Sequence, residues 1–77
     1  MTDQEMVNNL SELARYYANG GLSADNPSLV NLVIEIGKDL SRRGGISEMR
    51  RIFDQMPAMT GKRTVEMQWD GIGNWRG

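Results

Sequence analysis

The sequence predicts an all-α fold: a small bundle of three helices plus a short fourth C-terminal helix, in a single helical domain over residues 1–77. Apolar residues recur at the three- and four-residue spacing of one helix face in successive segments. Gly-Gly pairs at 20–21 and 44–45, and a proline at 57, follow those segments, and these residue types end helices. A length of 77 residues allows one domain with a thin core.

The first helix is predicted from Asp3 to Asn19. Thr2 and Glu5 have the spacing of a capping box, and the carboxylate also suits the positive end of the helix dipole. Gly20 follows the segment and favours a left-handed C-terminal cap. The predicted apolar face consists of Met6, Val7, Leu10, Leu13, Ala14 and Tyr17.

The second helix is predicted from Pro27 to Arg43, after a loop in which Asp25 or Asn26 serves as the N-cap. Six apolar residues crowd eight positions here, and their β-branched members would also suit a strand. Polar residues at steps of four, three and four favour the helix, because they form a single solvent-facing stripe: Asn31, Glu35, Lys38 and Arg42. The remaining apolar face is wide enough to need more than one neighbour. The second helix is therefore expected to be central or to offer a partner surface.

Two shorter helices are predicted after the Gly-Gly pair. Glu48 to Met56 forms the third, with Ser47 as a cap and Pro57 as the stop. Gly61 to Asp70 forms the fourth. Residues 64–69 also alternate like a strand, but a lone strand would have no partner in this chain, which favours the helix.

The C-terminal tail, residues 71–77, is predicted to be irregular. Gly71 and Gly73 resemble a phosphate-binding loop only faintly, because such loops follow a strand and open a helix. They are instead expected to supply positive-φ positions that fold the tail back. Trp75 then either seals the bundle or serves as an exposed anchor for another protein.

Composition excludes several kinds of chemistry. The chain contains no Cys and no His, which removes disulfides, thiolate nucleophiles, imidazole-ligated zinc and the Ser-His-Asp triad. Glu35 with Asp39, and Glu66 with Asp70, have helix-pair spacing, but they fall on predicted solvent faces, and a bundle this small rarely encloses a pocket. No enzymatic activity, cofactor or metal is therefore expected.

The expected compartment is the cytoplasm. The first residues are acidic and lack the basic and apolar regions of a signal peptide. No apolar run approaches the roughly 18 residues of a membrane span.

A net charge of −1 argues against a general polyanion binder.

The leading functional prediction is a noncatalytic protein–protein interaction module whose partner is another protein or a second copy of this chain. It rests on the absence of catalytic residue types, the thin core and the wide apolar face of the second helix. Leftover apolar area on that helix and on the C-terminal segment would be buried against the partner. The predicted contact residues are Leu29, Val33, Ile36, Trp69 and Trp75.

The alternative is nucleic-acid binding through a basic patch around a helix-turn-helix-like hairpin at the second Gly-Gly pair. The residues of this patch are Arg42, Arg43, Arg50, Arg51, Lys62 and Arg63. Acidic residues are interleaved with them, and helix spacing pairs Asp39 with Arg43 and Asp54 with Arg50. A contiguous positive face would support nucleic-acid binding, whereas an interleaved one favours the protein-binding interpretation.

Overall fold

The computed structural model describes residues 1–76 and shows that the fold is all-α. In this range it contains no strand, and residues 64–68 lie in a helix, so the strand alternative does not hold. The elements are α1 (Asp3–Ala18), a 3-10 turn (Ser23–Asp25), α2 (Pro27–Phe53) and α3 (Lys62–Gln68). Gly77 lies outside the described residues.

The start of α1 is held by the predicted capping box. The backbone N–H of Glu5 donates to Thr2 Oγ1 at 3.1 Å, and the Thr2 N–H donates to Glu5 Oε1 at 2.8 Å. That second bond lowers the pKa of Glu5, because it favours the ionised carboxylate. The helix ends one residue before the predicted boundary, and Gly20 beyond it has a φ of +86°.

The connection to α2 is more ordered than the plain loop predicted. The Tyr16 hydroxyl donates to the Leu22 carbonyl at 3.0 Å, and the hydroxyls of Tyr17 and Ser23 lie 2.8 Å apart. Asn26 occupies the N-cap position of α2, but its side chain makes no capping hydrogen bond. The tyrosines of α1 therefore hold this connection.

The predicted break between the second and third helices is present inside α2, which consists of two helical segments joined by a kink. The interruption lies at Gly44 (φ −159°, ψ 18°) and Gly45 (φ 65°, ψ −151°), where the sequence predicted a helix end. The chain changes direction over these two residues and resumes helical geometry directly after them, without an intervening loop. The second segment ends at Phe53, three residues before the predicted Met56.

Gly45 is expected to be essential to this kink. Its φ and ψ fall in a region open essentially to glycine alone, so Gly45→Ala should lower the free energy of unfolding by about 1–3 kcal/mol, although a Cβ there would meet no neighbour within 4 Å. Gly44→Ala is the comparison for backbone strain, because its φ is extended, although its Cβ would lie 2.6 Å from Glu48 Cγ and would require that side chain to shift. Urea unfolding of both variants measures the difference. Equal losses would contradict the backbone explanation.

The core lies where α1 and the C-terminal part of the chain pack on α2. α2 contacts α1, α3 and the 3-10 turn, and α1 also contacts α3. The wide apolar face of α2 is thus shared among several neighbours, as the sequence predicted for that segment. The buried apolar residues of α2 are Val30, Val33, Ile36, Leu40, Met49, Ile52 and Phe53.

Candidate interaction surface

Most of the side chains predicted to contact a partner lie in the core of the single chain. Val33 and Trp69 have no exposed surface, Trp75 is 1% exposed and Ile36 is 4% exposed, while Leu29 is half-buried. α1 and the C-terminal segment therefore already cover most of the apolar area that was assigned to a partner.

The Trp69 side chain packs across α2 at Gly37, where that helix has no side chain. Its indole N–H donates to the buried carbonyl of Val33 at 2.9 Å. A Cβ at Gly37, one turn further along α2, would lie 2.6 Å from the same indole nitrogen. Sequence reasoning overlooked Gly37. A glycine within an apolar helical stretch was the available signal, because glycine disfavours helix interiors unless another group must approach closely.

Trp75 folds back and completes an aromatic cluster, defined here as Phe53, Trp69 and Trp75. The two indole rings meet edge-on with centroids 5.1 Å apart, and Phe53 lies 5.5 Å from Trp75 and 6.0 Å from Trp69. The guanidinium carbon of Arg50 stands 4.5 Å from the centroid of the Trp75 ring, a cation–π distance. The Lys62 ammonium lies 5.0 Å from the Phe53 ring. The cluster thus joins the end of α2 to the chain after α3.

The residues of the predicted basic patch are dispersed among carboxylates and rings. Arg42 and Arg43 both pair with Asp39, at 3.6 and 2.9 Å, as the spacing of Arg43 predicted. Arg50 faces Trp75 instead of the expected Asp54. Arg51 pairs with Glu48 and Asp3. Lys62 donates a hydrogen bond to the Met56 carbonyl, and Arg63 is exposed. The charges are therefore interleaved.

Arg51 ties the start of α1 to the second segment of α2. Its guanidinium donates to both carboxylate oxygens of Glu48, at 2.7 and 2.8 Å, and also binds Asp3. Hydrogen bonds from Arg51 lower the pKa of Asp3 and the pKa of Glu48. In return, both carboxylates raise the pKa of the Arg51 guanidinium, and Glu48 has the larger effect. This bridge crosses 48 positions of sequence, and no local pattern predicted it.

Because the pKa values of Asp3 and Glu48 are lowered in the folded chain, we expect the stability of the fold to decrease as the pH falls. A group whose pKa is lower in the folded state contributes stability above its unfolded pKa of about 4, and that contribution is lost as the pH falls through the folded pKa. The Asp3→Asn/Glu48→Gln double variant should therefore show a shallower fall of Tm between pH 5 and pH 2.5. Circular dichroism melts measure it, with Glu12→Gln, an exposed carboxylate elsewhere on α1, as the control. An unchanged slope in the double variant would contradict this assignment.

An open apolar groove lies between the start of α1 and the first segment of α2. Its volume is about 150 Å³, and Met1, Met6, Leu32 and Ile36 line it, with Glu35 and Asp39 at the same site. Leu32 is half-buried and Ile36 is almost fully buried, so apolar carbon lies beneath the opening. Of the residues predicted for protein binding, Ile36 is the one that contributes to this groove.

The carboxylates of the groove are engaged in exposed ion pairs. Glu35 lies 3.6 Å from Lys38, and Asp39 pairs with two arginines of its own helix. Exposed pairs of this kind contribute little to stability, because water and salt screen them. Both carboxylates can therefore exchange their present cations for those of a partner at small cost.

Comparison with protein-family models, with curated proteins and with solved structures finds no match to this chain. Within residues 1–76, no group of three acidic side chains is arranged to hold a metal ion. No helix of that range combines the length and apolar character needed to cross a membrane.

Proposed function

We propose that this chain is a noncatalytic protein–protein interaction module that receives an apolar side chain of a partner helix in the groove between α1 and α2. The observation that supports this proposal most directly is the groove, whose walls are mainly Met and aliphatic side chains. Flexible methionines let such a groove adapt to its occupant. A side chain seated there would exclude water from Leu32 and Ile36, and burial of apolar area drives association.

The size and charge of the groove specify the chemistry of the occupant. A volume of about 150 Å³ suits one large apolar side chain, such as Leu, Met or Phe, but not a cofactor-sized molecule. Carboxylates at Glu35 and Asp39 favour a Lys or Arg close to that side chain. The partner is therefore an amphipathic helix with a basic residue beside its apolar anchor, in the helix-in-groove mode.

The distribution of cations supports protein binding over nucleic-acid binding. Polyanion affinity needs several cations placed to neutralise successive phosphates, without carboxylates between them. Here Arg42, Arg43 and Arg51 pair with carboxylates, and Arg50 stands over an indole ring. Phosphates approaching this surface would meet Asp39 and Glu48 beside the arginines.

A second copy of this chain is the other candidate partner for the groove. α3 exposes Met67, and Arg63 stands four residues earlier on the same helix face, which is the pairing of anchor and cation that the groove requires. Sedimentation velocity from 5 to 500 μM tests self-association. A mass that rises with concentration, and does not rise after Leu32→Lys, would identify the partner as this chain.

Site-specific photocrosslinking tests the groove for a different partner. A benzophenone amino acid at position 32 should yield a discrete adduct in cells, and the same group at Leu22, which is 63% exposed and lies outside the groove, should not. The purified partner should then lose at least tenfold in affinity against Leu32→Lys and keep its affinity for Leu22→Lys. No discrete adduct from position 32, together with a strictly monomeric mass, would refute the proposal.

A further inference from the structure

The C-terminal turn of the chain, residues 70–76 (the strap), packs on the bundle through Trp75 and Ile72, and the Ile72 N–H donates to the Trp69 carbonyl at 2.9 Å. Its backbone closes on itself: the Gly71 N–H donates to the Trp75 carbonyl and the Trp75 N–H to the Ile72 carbonyl, both at 3.0 Å. Within the strap, Trp75 is buried and Ile72 is half-buried, and the other five residues are exposed. Trp75 and Ile72 therefore supply the apolar contact between the strap and the bundle.

The anchoring indole leaves a polar group unsatisfied when the strap is closed. Trp75 Nε1 is buried and finds no hydrogen-bond partner in the part of the chain that the structure describes. The neighbouring Trp69 differs, because its indole N–H binds the Val33 carbonyl at 2.9 Å. Water would satisfy the Trp75 N–H as soon as the strap opened, so this group favours the open state while the ring contacts favour the closed one.

The helix-to-helix contacts of the bundle do not involve the strap. The contacts between α1 and α2 and between α1 and α3 are made by other residues, and Trp69 keeps its hydrogen bond to α2 without Trp75. Gly71 and Gly73, with φ of +86° and +55°, give the strap the turns that return Trp75 to the bundle. A short segment with two apolar anchors, Trp75 and Ile72, and five exposed residues opens at lower free energy than the whole domain.

We propose that the strap is a detachable lid that opens as a unit while the three helices stay folded, and that opening uncovers the Phe53 and Trp69 rings. Closure places Trp75 between those rings and Arg50, at 5.1 and 5.5 Å from the ring centroids and 4.5 Å from the guanidinium carbon. Opening hydrates the Trp75 N–H and frees the Arg50 guanidinium. The lid lies away from the groove and is independent of the proposed docking function.

Hydrogen exchange measured by NMR tests this lid on the full chain. The Trp75 indole N–H and the Gly71 amide should exchange at least about 100-fold faster than the Trp69 indole N–H, because only the latter needs global unfolding. Their exchange should also depend weakly on urea, since opening the strap exposes little surface. Equal protection of all three groups would show that the strap opens only when the domain unfolds, and would overturn the proposal.

A matched pair of isosteres tests the role of the unsatisfied N–H. Benzothienylalanine keeps the shape of tryptophan but replaces the N–H by sulfur, and a 77-residue chain is accessible to chemical synthesis. At position 75 it should slow exchange of the Gly71 amide by about tenfold, since the closed state no longer buries an unpaired donor. At position 69 it should accelerate exchange throughout the core. Unchanged or faster Gly71 exchange in the position-75 variant would contradict the proposed mechanism.

Discussion

Trp69→Ala is expected to lower the free energy of unfolding by about 3–5 kcal/mol, the range for truncating a fully buried Trp. The side chain has no exposed surface, packs against Phe53 and Trp75, and holds α2 by its hydrogen bond to Val33. A domain of this length has a total stability of roughly 4–12 kcal/mol, so the loss is a large share of it. Urea unfolding followed by circular dichroism measures the change.

Two further variants keep this prediction decisive if Trp69→Ala fails to fold. Trp69→Phe retains a ring and loses the N–H, and should cost about 1–2 kcal/mol for the hydrogen bond and the smaller ring. Met67→Ala, at a residue that is 55% exposed two positions earlier, should stay within about 0.5 kcal/mol of the parent chain. Similar losses at positions 67 and 69 would show that Trp69 does not anchor α2.

Gly37→Ala is expected to destabilise the fold by about 2–3 kcal/mol, opposite in sign to the usual effect of this change within a helix. Alanine normally stabilises a helix interior by about 0.5–1 kcal/mol relative to glycine. Here the added Cβ would lie 2.6–2.9 Å from three atoms of the Trp69 indole ring, which is itself enclosed by core residues. The ring must move, and overpacking of this kind costs about 1–3 kcal/mol in addition to a weakened hydrogen bond.

A double-mutant cycle separates this steric effect from any intrinsic preference at position 37. In a Trp69→Leu background the indole is absent, so Gly37→Ala should become neutral or slightly stabilising. The coupling between the two sites should therefore reach at least about 2 kcal/mol. An equal loss from Gly37→Ala in both backgrounds would place its cause elsewhere.

Local sequence patterns predicted the elements that depend on local interactions. The capping box of Thr2 and Glu5 forms as its spacing indicated, because both of its hydrogen bonds lie within one helical turn. The Asp39–Arg43 ion pair forms for the same reason. The break at Gly44–Gly45 was also expected, but its geometry was not. The sequence placed the next helix start at Ser47 and Glu48, whereas helical geometry resumes directly after Gly45.

The contacts that individual side chains make were less predictable, because several partners compete for each side chain. Arg50 has a carboxylate at helix-pair spacing, yet it stands over Trp75, whose position depends on the fold of the tail. Arg51 bridges to Asp3, which lies 48 positions earlier in the sequence. The groove also escaped sequence analysis, since its walls come from two helices that meet only in the folded chain.

The sequence by itself determined the helical class, the start of α1, the place where α2 is interrupted, and the chemistry that a chain without His and Cys lacks. These features follow from backbone preferences and near-neighbour spacing. Tertiary structure alone decided which part of the wide apolar face of α2 stays open. The indole of Trp69 covers one part of that face, because Gly37 leaves room for the ring. α1 leaves another part uncovered, and this part is the groove beside Leu32. Burial depends on which surfaces meet in three dimensions, and a one-dimensional pattern does not contain that information.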